Sequence, residues 1–435
     1  MRKTLALFSG LLGIAAFIPL LSVVAQPILP PIRIPSSPQQ LPTQPLPQLP
    51  PPGQTPVPLP GGEIQPVQPV QPLKLVKLDL NCQPARGCIG WDEQLFWSKG
   101  KPGDVRALLR SIDNSLRYLN TPRAATVYQN FPVEGITLDR VRRSLVRFRQ
   151  LVVSAKSPEQ LQIAVKREFD FYKSIGNDGK GTVKFTAYYE PVYTASRVPT
   201  RAYRYPLYRI PQNLDQWAKP HPTRVQLEGE DGLLGNRSQL RGSELFWFRD
   251  RLDAYMIHIQ GSAQLRLTDG RTTSVGFAGA TDYPWTSIGR ALIKDGKLDP
   301  QNATMPALIN HFRRVPQDLN VYLPLWERFV FFKETKGQPA TGSINVPVTA
   351  ERSIATDKSL MPPGALALIN NAFPFPAPGG GMVRRQVSRF VLDQDTGSAI
   401  KGPGRVDYFM GTGEMAGNRA GVTGGNGQLY YLLLK

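Results

Sequence analysis

Three aspartates, Asp393, Asp395 and Asp407, crowd the C-terminal stretch VLDQDTGSAIKGPGRVDYFMGTGEMAGNRAG, among glycines that let a ligand approach the backbone closely. Asp407 is followed by Tyr408 and Phe409 in an expected strand. A carboxyl group against aromatic walls loses hydration and its pKa rises, so it stays protonated near neutral pH and can serve as a general acid. Aspartate also caps turns routinely, and on composition alone that plainer role stands first. Other chemistries have less support. The three histidines, His221, His258 and His311, are far apart and in no HExxH-like spacing, which leaves no pattern for a catalytic zinc. No G-x-S-x-G elbow or P-loop is present, and Gly411-Thr412-Gly413 is a lone GxG without a βαβ context. With metal, serine and cofactor chemistry set aside, carboxylates are the natural catalytic groups, and neither a metal nor a cofactor is expected.

The elements that must position them change texture along the chain. Residues 104–175 read as helical: Val105, Leu108, Leu109, Ile112, Leu116 and Leu119 recur at helical spacing, as do Val141, Leu145, Phe148 and Val152. Ser157-Pro158-Glu159-Gln160 is a helix start, with Gln160 able to complete a capping box, and the face that follows carries Leu161, Ala164, Val165, Phe169 and Tyr172. From Gly181 short runs rich in Val, Ile, Tyr, Phe and Thr alternate with turn residues. TVKFTAYYEPVYTASR, DAYMIHIQGSAQLRL and RTTSVGFAGA read as strands, and Asp269-Gly270 marks a hairpin. Helical interludes are expected at Trp285–Lys297 and Met305–Phe312, and strands return from Ser343 to the terminal LYYLLLK. The fold class is therefore mainly β, α+β, with barrels favoured over a doubly wound sheet.

The first residues indicate export. Arg2 and Lys3 precede an apolar run from Thr4 to Leu21, and Ser22-Val23-Val24-Ala25 supplies a cleavage site, so residues 1–25 read as a signal peptide. An uncleaved membrane anchor is the competing reading. No cysteine ends the apolar run, so lipidation there is not expected. Residues 26–75 hold 17 of the 42 prolines and should form an extended spacer, at about 3.1 Å per residue, instead of helix or sheet. The only cysteines, Cys82 and Cys88, flank turn-forming residues and fit one short-loop disulfide, stabilising by about 2 kcal/mol. The net charge of +19 suits an anionic partner such as nucleic acid, an acidic membrane or the cell wall, or simply keeps the chain soluble.

The strings FTAYYEP (Phe185–Pro191), HIQGSAQLRLTDG (His258–Gly270), GFAGATDYPWTSIGRALIKDG (Gly276–Gly296), ERSIATDKSLMPPG (Glu351–Gly364) and DTGSAIKGPGRVDYFMGTGEMAGNRAG (Asp395–Gly421) resemble, in order, the membrane-bound lytic murein transglycosylase A family, MltA. The resemblance covers roughly residues 180–435 and includes that family's three-aspartate "3D" region. It implies a double-psi β-barrel plus a second, smaller β domain, with a helical N-terminal prefix and a glycan groove between the domains. The corresponding divisions are 76–180 for the helical region, 181–342 for the MltA-type domain with its inserted β domain, and 343–435 for the 3D domain. The resemblance assigns Asp407 as the acid–base and Asp395 as a supporting carboxylate. Thr186, Tyr189, Glu190, Gln260, Gly261 and Ser262 fall on motif positions that line the groove. Here the family's QGSG reads QGSA and its GGAIKG-like turn reads GSAIKG, both small-for-small changes, whereas its lipidated cysteine is absent.

What the resemblance implies is a monomeric lyase acting on peptidoglycan glycan strands in the periplasm or cell envelope, at the outer membrane if the signal is retained, and not on nucleic acid. A hydrolytic muramidase and a non-catalytic wall-binding barrel are the alternatives. Tyr188, Tyr189, Tyr193, Trp247, Tyr255, Phe277, Tyr283 and Trp285 are candidate sugar platforms, Tyr189 and Trp285 foremost, although aromatics are more often core. Arg266, Arg290, Lys401 and Arg405 are candidates to meet lactyl or peptide carboxylates, with a solvated surface as the default for each.

Overall fold

The computed structural model describes residues 71–77, 88–96, 100 and 102–435. The signal segment, most of the Pro-rich spacer and Cys82 lie outside them. Cys88 is disulfide-bonded. A first strand, β1 (Leu73–Val76), starts inside the segment expected to be spacer, because alternating Leu73 and Leu75 find an antiparallel partner. Helices α1 (Val105–Leu119), α2 (Pro122–Gln129), α3 (Leu138–Ser154) and α4 (Pro158–Glu168) follow. Thr121, Thr137 and Ser157 cap the last three by accepting from backbone N–H groups, and proline opens α2 and α4. Gln160 reaches the Lys156 N–H instead of the cap's own, so the capping box forms one residue early. The helical prefix ends sooner than expected. Phe169 and Tyr172 belong to β2 (Phe169–Ser174), which pairs with β1 and is paced by period-two burial of Phe169 and Phe171.

Strand β3 (Val183–Glu190) begins the barrel, and after Pro191 the chain leaves it as β4 (Val192–Ala195). An inserted body follows: β5 (Tyr205–Tyr208), α5 (Arg224–Glu228), β6 (Glu244–Phe248), α6 (Arg251–Gln260), β7 (Ser262–Leu267), β8 (Thr272–Ala280), α7 (Ile288–Lys294), α8 (Met305–Arg314), α9 (Asp318–Tyr322) and β9 (Val330–Glu334). Its sheet has the order β4-β7-β8-β9, with β5 and β6 as a separate pair. The hairpin at Asp269-Gly270 forms between β7 and β8 as expected. DAYMIHIQ is helix, not strand. Leu252, Ala254, Tyr255, Met256, Ile257 and His258 are all buried, so the helix is apolar on nearly every side and lacks the amphipathic signature of its period. Its ends carried the signal: the Asp250 carboxylate accepts from the Leu252 N–H, and Gly261 closes the helix at φ 80°. The interlude expected at Trp285–Lys297 shrinks to α7 behind its Ser287 cap.

The chain returns to the barrel through β10 (Ser353–Ala355), β11 (Leu366–Pro376), β12 (Met382–Asp395), β13 (Arg405–Thr412), α10 (Glu414–Gly421) and β14 (Asn426–Leu434). The order β14-β11-β12-β10-β13-β3 closes on itself through pairing of β14 with β3, giving six strands, with β2 and β1 continuing beyond β14. Pairs β10–β12 and β13–β3 are parallel and the others in the ring are antiparallel. The molecule is thus mainly β with helices. Val183, Phe185, Ile354, Leu366, Val406, Tyr408 and Leu429 fill the barrel, and Phe246, Ile257, Leu265, Trp326 and Phe332 form a separate core in the insert.

A buried charge cluster pins the prefix to the barrel. Arg352, wholly buried at the start of β10, donates to Asp92 and to Asp104, and Arg389 of β12 also meets Asp92. Asp104 precedes α1 but spends its carboxylate on Arg352, which is why no side-chain cap forms there.

Candidate active site

Parallel pairing of β3 with β13 sets Lys184 opposite Arg405, Thr186 opposite Asp407 and Tyr188 opposite Phe409. Alternation then sorts the side chains by face. Val183, Phe185, Val406 and Tyr408 point into the barrel, while Thr186, Tyr188, Arg405 and Asp407 are only part-buried. The β13 register shifts between Phe409 and Thr412, where Gly411 adopts φ 100° and a Cβ would stand 2.9 Å from that of Ala350. That irregularity lets β13 bend toward Glu190 while Asp407 keeps its place in the ladder.

Thr186 donates its hydroxyl to Asp407 Oδ1 at 2.6 Å. Among the described residues no hydrogen bond to Oδ2 is formed. Burial raises the pKa of Asp407. The Thr186 hydrogen bond and the Arg405 charge oppose that rise, and the negative charge of Asp395 adds to it. Asp395, at the end of β12, accepts from the Tyr188 hydroxyl at 2.8 Å and from the backbone N–H groups of Ser343 at 2.9 Å and Thr396 at 2.8 Å. Its pKa is also raised, by burial outweighing those donors. The Tyr188 ring packs on Phe409 with centroids 5.1 Å apart.

Asp393 plays a different part. It is fully buried within the barrel, where Lys358 pairs with it and Thr356 and Tyr431 each donate to its Oδ2 at 2.7 Å. It therefore holds strands together and is out of reach of a ligand.

The remaining expected residues divide between the site and its supports. Gln260 accepts from the Tyr189 N–H through Oε1 at 3.0 Å, bringing α6 of the insert against β3 of the barrel. Gly261 ends α6 and Ser262 opens β7 beside it, both part-buried. The Tyr189 ring lies on α10: a Cβ on Gly417 would come within 2.7 Å of it. Glu190 does not line an open surface. It is 3% exposed, accepting from Thr412 at 2.7 Å and Gln264 at 3.1 Å, and burial raises its pKa. It ties β3, β13 and β7 together. Trp285 is part-buried and meets Trp326 edge-on at 4.8 Å, packed against the core of the insert. Lys401 is exposed and acts on Asp357, whose carboxylate accepts from the Gly402 N–H.

Sequence reading missed Ser343 and Gln264, whose partners lie far away in sequence, and it missed Asp253 because α6 was read as a strand. Asp253 is pushed up to about 6, chiefly by burial and secondarily by Asp250, with Arg313 opposing, and its charge also acts on Tyr189 and Tyr193.

A six-stranded barrel interrupted after β3 by an inserted body is an architecture that known proteins share. The family model described as "MltA specific insert domain" matches residues 184–333, and the "3D domain" model matches residues 352–433. The membrane-bound lytic murein transglycosylase A of Escherichia coli strain K12 is 30% identical over 266 residues, 60% of this chain and 69% of that protein. A crystal structure of a membrane-bound lytic murein transglycosylase from Agrobacterium tumefaciens matches with a TM-score of 0.61 at 26% identity, covering 76% of this chain and 93% of that one. Escherichia coli MltA with bound chitohexaose has the same fold, with a TM-score of 0.62 at 24% identity over 83% of this chain and 94% of that one. The chain belongs to the membrane-bound lytic murein transglycosylase A family.

Proposed function

We propose that the protein is a lytic transglycosylase that cleaves the β-1,4 bond between N-acetylmuramic acid and N-acetylglucosamine in peptidoglycan, with Asp407 as its single acid–base. The observation that carries this reading is the state of Asp407: burial favours its protonated form, Thr186 holds one oxygen, and the other accepts no hydrogen bond among the described residues. Asp407 gives its proton to the glycosidic oxygen as the bond from that oxygen to the muramoyl anomeric carbon breaks. The muramoyl C6 hydroxyl bonds to the same carbon, closing a 1,6-anhydro ring, and its proton passes to the Asp407 carboxylate. The acid is regenerated and no water is consumed. Because the hydroxyl is already tethered, its effective concentration is high without a nucleophile from the enzyme.

A hydrolase would need a second carboxylate to activate water or to form a covalent intermediate. Asp395 suits that poorly, since both its oxygens already accept hydrogen bonds from protein groups. Its charge instead favours protonation of Asp407. Asp407, Thr186, Tyr188 and Asp395 all come from one chain, which supports action as a monomer. On this reading Thr186, Tyr189, Gln260, Gly261 and Ser262 line the strand's path, and Trp285 and Lys401 are the further candidates for contact with it.

The relatives are named membrane-bound, and the net charge of +19 suits an anionic wall, so we place the protein in the cell envelope. No helix among the described residues is long and apolar enough to cross a membrane. Digestion of purified peptidoglycan followed by mass analysis of the fragments tests the reading. Anhydro-ended products support it, water-added reducing ends make the protein a muramidase, and sedimentation with sacculi without released fragments makes it a binder.

A further inference from the structure

The ladder that carries Asp407 continues past it. Arg405 stands two residues before Asp407 on β13, Lys184 stands two before Thr186 on β3, and the two are register partners. Side-chain alternation puts both cations on the face that carries Thr186 and Asp407, roughly 7 Å along the strands. Other arginines have an acidic partner, as Arg140 has Asp170, Arg147 has Glu168 and Arg197 has Glu334. Lys184 and Arg405 form no ion pair among the described residues. Arg405 Nη1 is shut off from water with no hydrogen-bond partner. A desolvated guanidinium nitrogen without an acceptor is costly, and an acceptor atom of a ligand would relieve that cost. Of the other basic residues considered from sequence, Arg266, Arg290 and Lys401 are exposed, and none lies on the β3–β13 ladder.

We propose that Lys184 and Arg405 form a carboxylate-binding subsite beside Asp407 that takes an acidic group of the glycan strand. A guanidinium and an ammonium on adjacent strands present diverging donors that suit the two oxygens of one carboxylate. Peptidoglycan offers two sources of that group: the lactyl carboxylate of a muramoyl residue that has lost its peptide, and the carboxylates of an attached peptide. Either would seat a muramoyl unit, not an N-acetylglucosamine unit, next to the acid. The inference rests on the transglycosylase reading of the site, but its test does not.

Binding is measured in the full chain carrying Asp407→Asn, so that strands are not consumed and the readout is independent of turnover. Three ligands are compared at low salt: peptide-free glycan strands, peptide-bearing strands and neutral chitohexaose. Adding Lys184→Gln and Arg405→Gln should weaken peptide-free strands about tenfold and chitohexaose less than twofold, with Arg405→Lys retaining most of the affinity. If peptide-bearing strands alone lose affinity, the subsite exists and its ligand is a peptide carboxylate. The proposal is overturned if all three ligands weaken in the same proportion or none does. Should the double substitution prevent folding, Lys184→Gln alone, at an exposed position, should give the same contrast at about threefold. Normal discrimination here together with no anhydro products from the unmodified enzyme would overturn the function and leave the subsite standing.

Discussion

Thr186 and Asp407 face each other across a parallel strand pair, and the Thr186 hydroxyl donates to Asp407 Oδ1 at 2.6 Å. The hydrogen bond favours the ionised carboxylate and so lowers the pKa that burial raises. Thr186→Val keeps the shape and removes the donor. The pKa of Asp407 should then rise further, so more of the acid stays protonated as pH increases. The alkaline limb of the turnover–pH profile should move to higher pH, and a limb that does not move would contradict the assignment of Asp407 as the acid.

Asp407→Asn keeps the side chain's size and removes its titrating proton. Turnover measured as release of anhydro-ended fragments should fall by about 10²- to 10⁴-fold, the usual contribution of a general acid. The melting temperature should fall little, because Thr186 can still donate to the amide oxygen. Activity near the unmodified level would disprove the role.

Arg352→Met leaves Asp104 without its cation and buried Asp92 with only the longer contact to Arg389. Removing one member of a buried ion cluster should cost about 3–5 kcal/mol. Urea unfolding should show that loss, and limited proteolysis should first open the segment around Asp92 and α1. A shift below about 1 kcal/mol, the ordinary range for exposed ion pairs, would mean that the cluster is not what holds the prefix.

His258 is buried against Phe329 and Phe332, its Nδ1 3.3 Å from an Arg224 nitrogen. Burial, reinforced by the charges of Arg224 and Arg251, pushes its pKa well below the usual histidine value. Below about pH 6.5 the unfolded chain binds a proton there that the native state refuses, so stability falls with pH by up to about 1.4 kcal/mol per unit. Asp253, raised to about 6, acts in the opposite sense and is shared with any variant at 258. The urea midpoint of His258→Gln should therefore gain on that of the unmodified protein as pH falls from 6.5 to 5. Parallel curves would refute the linkage.

The division between what could be read from the chain and what could not follows the range of the interactions. Capping residues act within a turn, so Ser157 before Pro158 marks a real helix start in the sequence. The Asp269-Gly270 hairpin is equally local. Helix α6 misled because its packing on all sides erases the polar stripe that reveals a helix. Asp395 and Asp407 were legible as a pair only through motif order, and nothing local distinguishes them from Asp393, which the barrel buries against Lys358. Glu190 was placed on an open surface because the motif fixes position along the chain and says nothing of which neighbours will cover it.

Strand β3 leaves the barrel at Glu190 and, with only Pro191 between, enters the insert's sheet as β4. A taut polymer pulling on the insert would thus load the neighbour of Asp407's strand along its length. The parallel β3–β13 ladder meets such a load in shear, with its hydrogen bonds resisting together, whereas peeling would break them one at a time. Buried Glu190, bonded to Thr412 and Gln264, sits where the tension enters. Any such load would reach the strand of Asp407 through this joint before it reached the rest of the barrel.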